Sequence, residues 1–158
     1  MAAQKLLPEA VRYLVVHCSA TQPKSDIGVK EITRMHRERG FLTIGYHFVI
    51  RRNGVIEAGR ALDAIGAHVE GWNSRSLGIC LVGGIDSTGK PENNFTADQF
   101  AALAQLLMEL REKFPKASVQ GHRDFPNVKK DCPCFDVRSW VKETIDDPFP
   151  SEKDSAED

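Results

Sequence analysis

The sequence predicts a single α/β domain built on a central mixed β-sheet flanked by helices. Aliphatic runs of strand length alternate with amphipathic helical segments, a hairpin signal interrupts that alternation, and neither a linker nor a repeat divides the 158 residues. Alternation argues for parallel strands joined by helical crossovers, and the hairpin adds an antiparallel member. A chain of this length buries one apolar core without staples. The domain is expected over residues 1–146. The polar, acidic segment 147–158, ending "PSEKDSAED", is expected to be a disordered tail.

The elements follow in chain order. "VRYLVVHCS", residues 11–19, is rich in β-branched and aliphatic residues and reads as a buried strand with His17 at its polar end. Val29 to Arg39 carries Ile32 and Met35 among charges, an amphipathic helix that Gly40 would end in the left-handed conformation. In "GYHFVIRRNGVIEAGR", Asn53-Gly54 stands between two β-rich runs, the dipeptide favoured by a type I′ hairpin turn. "IGAHV" and "SLGICLVGG" read as two further strands, and "GIDSTGKPENN" as an exposed loop. Thr96 and Gln99 form a capping box ahead of Phe100, Leu103, Leu106, Leu107 and Leu110 at helical spacing, a long helix reaching about Phe114. "ASVQG" is the last strand, and "DVRSWVKETI" a final helix with Asp136 as its cap.

Composition narrows the function classes. A net charge of −1 gives no general field that would draw the protein to nucleic acid, and 41% hydrophobic with 27% charged residues is ordinary for a water-soluble domain. The N-terminal segment lacks an apolar run of signal-peptide length, so the chain is expected to stay in the cytoplasm until something else releases it. In that setting its four cysteines favour free thiols or metal ligands over two disulfides.

Chemistry is concentrated in "GHRDFPNVKKDCPCFD", residues 121–136. His122 follows a strand, Cys132 lies in a turn-rich segment, and His17 closes the first strand. Two imidazoles and a thiolate suit Zn²⁺, and three protein ligands leave the fourth position open, as catalytic zinc requires. A Cys132–Cys134 redox pair, or two inert thiols, stays open on spacing alone. His36, among Arg34, Arg37, Glu38 and Arg39, reads as a solvated surface residue. Cys18 and Cys80 read as small hydrophobes. Tyr46 and His47 point to opposite faces if extended, as do His17 and Cys18. Lys129 and Lys130 are solvated charges by default, yet either ammonium could stabilise developing negative charge.

Taken together, "VHCSAT", "GYHF", "EAGR", the histidine of "GAHV", "CLVGGID", "NFT" and "CPCFD" resemble the zinc N-acetylmuramoyl-L-alanine amidases, the superfamily shared with peptidoglycan recognition proteins. These segments run from about residue 15 to 140, and the resemblance is strongest to phage endolysins. It implies an amidase-like fold, with residues 1–146 as a zinc amidase catalytic domain. His17, His122 and Cys132 match the zinc ligands, Tyr46 and Lys130 the catalytic residues, and His68 a histidine beside the substrate groove. Lys129 does not match. A loop longer by about two residues between His122 and Cys132, and the extra thiol of Cys134, depart from the phage pattern. The implied reaction is hydrolysis of the amide between the lactyl group of N-acetylmuramic acid and L-alanine in peptidoglycan. The implied partners are peptidoglycan or muropeptides and phage RNA polymerase, with a monomer expected. A peptidoglycan-binding module without catalysis is the competing class, and the presence of Cys132 argues against it.

Overall fold

The computed structural model describes residues 5–146, so the predicted tail lies outside the described residues. Five strands form one mixed sheet in the order β3-β2-β4-β1-β5. They are β1 (Tyr13–Cys18), β2 (Phe48–Ile50), β3 (Ile56–Ala58), β4 (Ser76–Leu81) and β5 (Ser118–Gly121). β1 lies parallel between β4 and β5, β2 is parallel to β4, and only the β2–β3 hairpin is antiparallel.

Strand alternation assigns the two faces. Leu14, Val16, Leu77, Ile79 and Leu81 point into the main core, where α2 (Ala97–Lys113) lays down Leu103, Leu106, Leu107 and Leu110. Val49, Cys80 and Val82 point the other way and meet Ile32 of α1 (Val29–Glu38) together with Ile44. Both faces are therefore covered, which is why β1 and β4 read as continuous apolar runs. The capping box of α2 forms as expected, Thr96 Oγ1 accepting from the Gln99 amide and Gln99 Oε1 from the Thr96 amide. α1 ends in a Schellman motif: Phe41 N–H donates to His36 O, Gly40 N–H donates to Arg37 O, and Gly40 has φ +94°. Asp136 caps α3 (Val137–Val141), and a π-helical turn, Lys142–Asp146, completes the predicted final helix.

Two predicted elements differ. "IGAHV" forms no strand, because Asn73 Oδ1 accepts both the His68 and Val69 amides at 2.9 Å and bends the segment into a loop. The β2–β3 turn is not type I′, since Asn53 does not have positive φ. Gly54 N–H instead donates to Arg51 O, Gly54 alone takes the left-handed conformation (φ +87°), and Arg51 N–H donates to Val55 O, the three-residue loop with a glycine bulge.

Candidate metal centre and catalytic groove

The parallel strands bring their carboxyl ends to one edge of the sheet, and the groove lies there. His17 arrives on β1, paired with Cys80 of β4, and only 1% of it is exposed. His122 leaves β5 in a tight turn over His122–Asp124, in which the Asp124 carboxylate accepts the Gly121 amide. Phe125 anchors that turn by packing its ring against Tyr13 and Trp72. Cys132 returns to the same place, held by Arg123 N–H donating to its carbonyl. As a result, one ligand atom each of His17, His122 and Cys132 lies within 4.8 Å of the others.

The donor set fits a metal. Burial first, then the neighbouring histidines His68, His122 and His36, holds His17 well below the usual imidazole range. Burial and then the Lys130 charge lower His122. Both rings therefore stay neutral near pH 7 and keep a lone pair for a cation. The Cys18 amide donates to Cys132 Sγ at 3.2 Å, a bond that strengthens as sulfur gains negative charge. Two imidazoles and a thiol favour a borderline or soft transition metal over magnesium or calcium.

The groove encloses about 1120 Å³, with Tyr46, His68, Trp72, Lys129 and Lys130 on its walls beside the three donors. Tyr46 lies 5.0 Å from His17 between ring centroids, while His47 is buried away from it, its Nε2 on Ala64 O and its Nδ1 accepting the Gly78 amide. Adjacent residues thus divide between site and core, as alternation requires. Burial, followed by nearby thiols, pushes the Tyr46 phenol well above its ordinary range, so it remains an O–H donor at neutral pH. His68 Nδ1 stands 2.8 Å from His17 Nε2. A shallower hollow on the outside of α1, lined by Lys30, Thr33, Arg34, Arg37 and Glu38, gathers no nucleophile or metal-ligand set.

His36 corrects the sequence reading. It is 5% exposed, and its Nδ1 accepts the Gly45 amide at 2.9 Å. Cys18 is buried as expected, yet its amide reaches Cys132, and Cys134 Sγ donates to Gly84 O at 3.2 Å. All four cysteines are free thiols, with no Cys132–Cys134 disulfide. Ser76 and Asn73, which brace His68, carried no distinguishing sequence signal.

Residues 7–135 match the family described as N-acetylmuramoyl-L-alanine amidase. The chain belongs to that amidase family. Among relatives, the endolysin of Enterobacteria phage K11 is 55% identical over 127 residues, covering 80% of this chain and 83% of that protein. The endolysin of Escherichia phage T7 is 46% identical over 132 residues, covering 84% and 86%. The amidase fold agrees with solved structures: N-acetylmuramoyl-L-alanine amidase LysC from Clostridium intestinale superposes with a TM-score of 0.75 at 25% identity, covering 92% of this chain and 95% of that one. Drosophila PGRP-LB shares the fold with a TM-score of 0.72 at 23% identity, over 89% and 84% of the two chains. Among the described residues, no helix is long and apolar enough to cross a membrane.

Proposed function

We propose that this amidase is a zinc-dependent peptidoglycan hydrolase of the endolysin kind, cleaving the amide between the N-acetylmuramic acid lactyl group and L-alanine to lyse a host cell from within. The observation that carries this reading is the convergence of His17, His122 and Cys132 at the floor of a groove that also holds Tyr46 and Lys130. His17, His122 and Cys132 would hold the ion. When bound, zinc would supply Lewis acidity and lower the pKa of the water it holds to about 7.

The protein's own groups carry the rest. Lys130, at the groove wall, stabilises negative charge on the carbonyl oxygen as water adds to the carbonyl carbon. Tyr46, held as a neutral phenol, donates a hydrogen bond that orients the carbonyl or the attacking water. The C–N bond then breaks: the oxygen of the attacking water stays on the lactyl carbon as a carboxylate, and a proton from that water leaves on the L-alanine nitrogen as part of the free amine. The groove walls bind the stem peptide beside this centre.

End-group analysis of purified peptidoglycan digested by zinc-loaded protein tests the proposal, with a chelator-treated sample alongside. New L-alanine amino termini without new reducing sugar ends, lost on chelation, are expected. Wall binding with no new termini, from protein shown to hold zinc, would overturn the enzymatic reading in favour of a binding module. The RNA polymerase partner implied by resemblance is tested by pull-down with the polymerase of a related phage, where absence of a complex refutes it.

A further inference from the structure

We infer that His68 is a positioning residue whose hydrogen-bond chain fixes the tautomer of His17 and presents His17 Nδ1, lone pair outward, to the metal. This rests on the metal reading of His17, His122 and Cys132. The chain begins at the carbonyl of Trp72, which can only accept. Ser76 Oγ–H donates to that oxygen at 2.9 Å, so its one proton is committed. The Ser76 oxygen then receives His68 Nε2–H at 3.3 Å. A neutral imidazole protonated at Nε2 has an acceptor at Nδ1, and that atom stands 2.8 Å from His17 Nε2. His17 must therefore carry its proton on Nε2, which leaves Nδ1 bare. Each donor in the series is dictated by the one before it, and the direction is set by a backbone carbonyl that cannot reverse.

No carboxylate pairs with His68 among the described ion pairs. Its orientation is built from three sides. A Cβ on Gly78 would stand 2.6 Å from His68 Cγ, and one on Gly66 would stand 2.8 Å from Cδ2, so two glycines vacate the space that the ring fills. Asn73 Oδ1 pins the His68 backbone amide from the opposite direction at 2.9 Å. Both ring nitrogens are spent within the protein, which leaves none for a substrate hydrogen bond. Metal-ligating histidines generally need such a partner on the far nitrogen to fix ring orientation and raise basicity.

The test measures zinc affinity by competition with a chromophoric chelator for wild type, His68→Leu, His68→Asn and Ser76→Ala. His68→Leu removes the acceptor, and an affinity loss of about 10- to 100-fold is expected. His68→Asn places a carbonyl oxygen near the position of Nδ1 and should recover most of that loss, a rescue that a space-filling role would not give. Nitrogen-15 correlation spectra of the metal-free wild type should show Nε2–H tautomers for both His17 and His68. Unchanged zinc affinity in His68→Leu, no recovery with Asn, or a His17 Nδ1–H tautomer would each overturn the inference while leaving the metal site standing. Wild-type protein that binds no zinc would overturn the metal reading and this inference with it. If His68→Leu does not fold, Ser76→Ala, which keeps the ring packing, must weaken zinc on its own, and wild-type affinity there refutes the chain.

Discussion

Mild acid should destabilise the metal-free protein far more than its near-neutral net charge suggests. His17, His36 and His47 are exposed by only 1%, 5% and 1%, and burial is the leading cause that lowers each below the ordinary value of 6.5. In the unfolded chain these rings titrate near 6.5, so below that pH the unfolded state binds protons that the folded state refuses. Stability is therefore full above the unfolded value and is lost as pH falls toward the folded ones. At pH 5.5, a ring that stays neutral in the fold costs about 1.4 kcal/mol, so about 4 kcal/mol is the ceiling for the three together. Set against the roughly 5–15 kcal/mol of an ordinary domain, that is a large fraction. Asp63, Asp86 and Asp136 are lowered from 3.8 and act only at more acid pH, so the window from 7.5 to 5.5 isolates the histidines. Urea unfolding of chelator-treated protein, followed by the fluorescence of Trp72 and Trp140, measures the effect. Metal must be absent because it competes with protons for the same rings. Equal stabilities at pH 7.5 and 5.5 would refute the reasoning.

Lys130→Ala should lower kcat by about 10² to 10³ without changing zinc content, whereas Lys129→Ala should stay near wild type. Equal losses in the two variants would undo the assignment of Lys130. Cys132→Ser should lose zinc in chelator competition and lower the thermal midpoint of the zinc-treated sample, and wild-type zinc content would speak against its role as a ligand. Gln99→Leu should cost about 2 to 3 kcal/mol in urea unfolding, because Gln99 Nε2 donates to the buried carbonyls of Ile50 and Val82 while its Oε1 accepts from Thr96. An unchanged midpoint would show that the donors these carbonyls already have, the Val82 amide on Ile50 O and Arg52 on Val82 O, suffice without Gln99.

Much of this fold was legible because the sheet is covered on both faces. Continuous aliphatic residues in β1 and β4 then signal strands without ambiguity, and Thr96 with Gln99 marks the start of α2 within one residue. The turn at Asn53-Gly54 was legible as a turn but not in type, since dipeptide preference does not count the flanking residues that join the loop. "IGAHV" misled because competition for its amides came from Asn73, outside the segment. His36 misled because its charged neighbours drew attention from its spacing. It lies four residues after Ile32, so the two share the buried face of α1. At the centre, residue type and familiar strings pointed to His17, His122 and Cys132, but no periodicity relates positions so far apart. Their meeting depends on β1 and β5 being sheet neighbours, a pairing that local pattern does not encode.

β1 is the first of the five described strands and an inner strand of its sheet, and this sets an order of events during synthesis. Its two neighbours are supplied much later, β4 from Ser76 onward and β5 from Ser118 onward. Such sequence-distant pairing makes folding wait for chain that has not yet been made. A nascent chain that stops before β5 holds His17 but neither of the other two donors. A chain not yet extended through Cys132 therefore has no assembled centre, and wall-degrading capacity arrives only once β5 and the segment after it have been made.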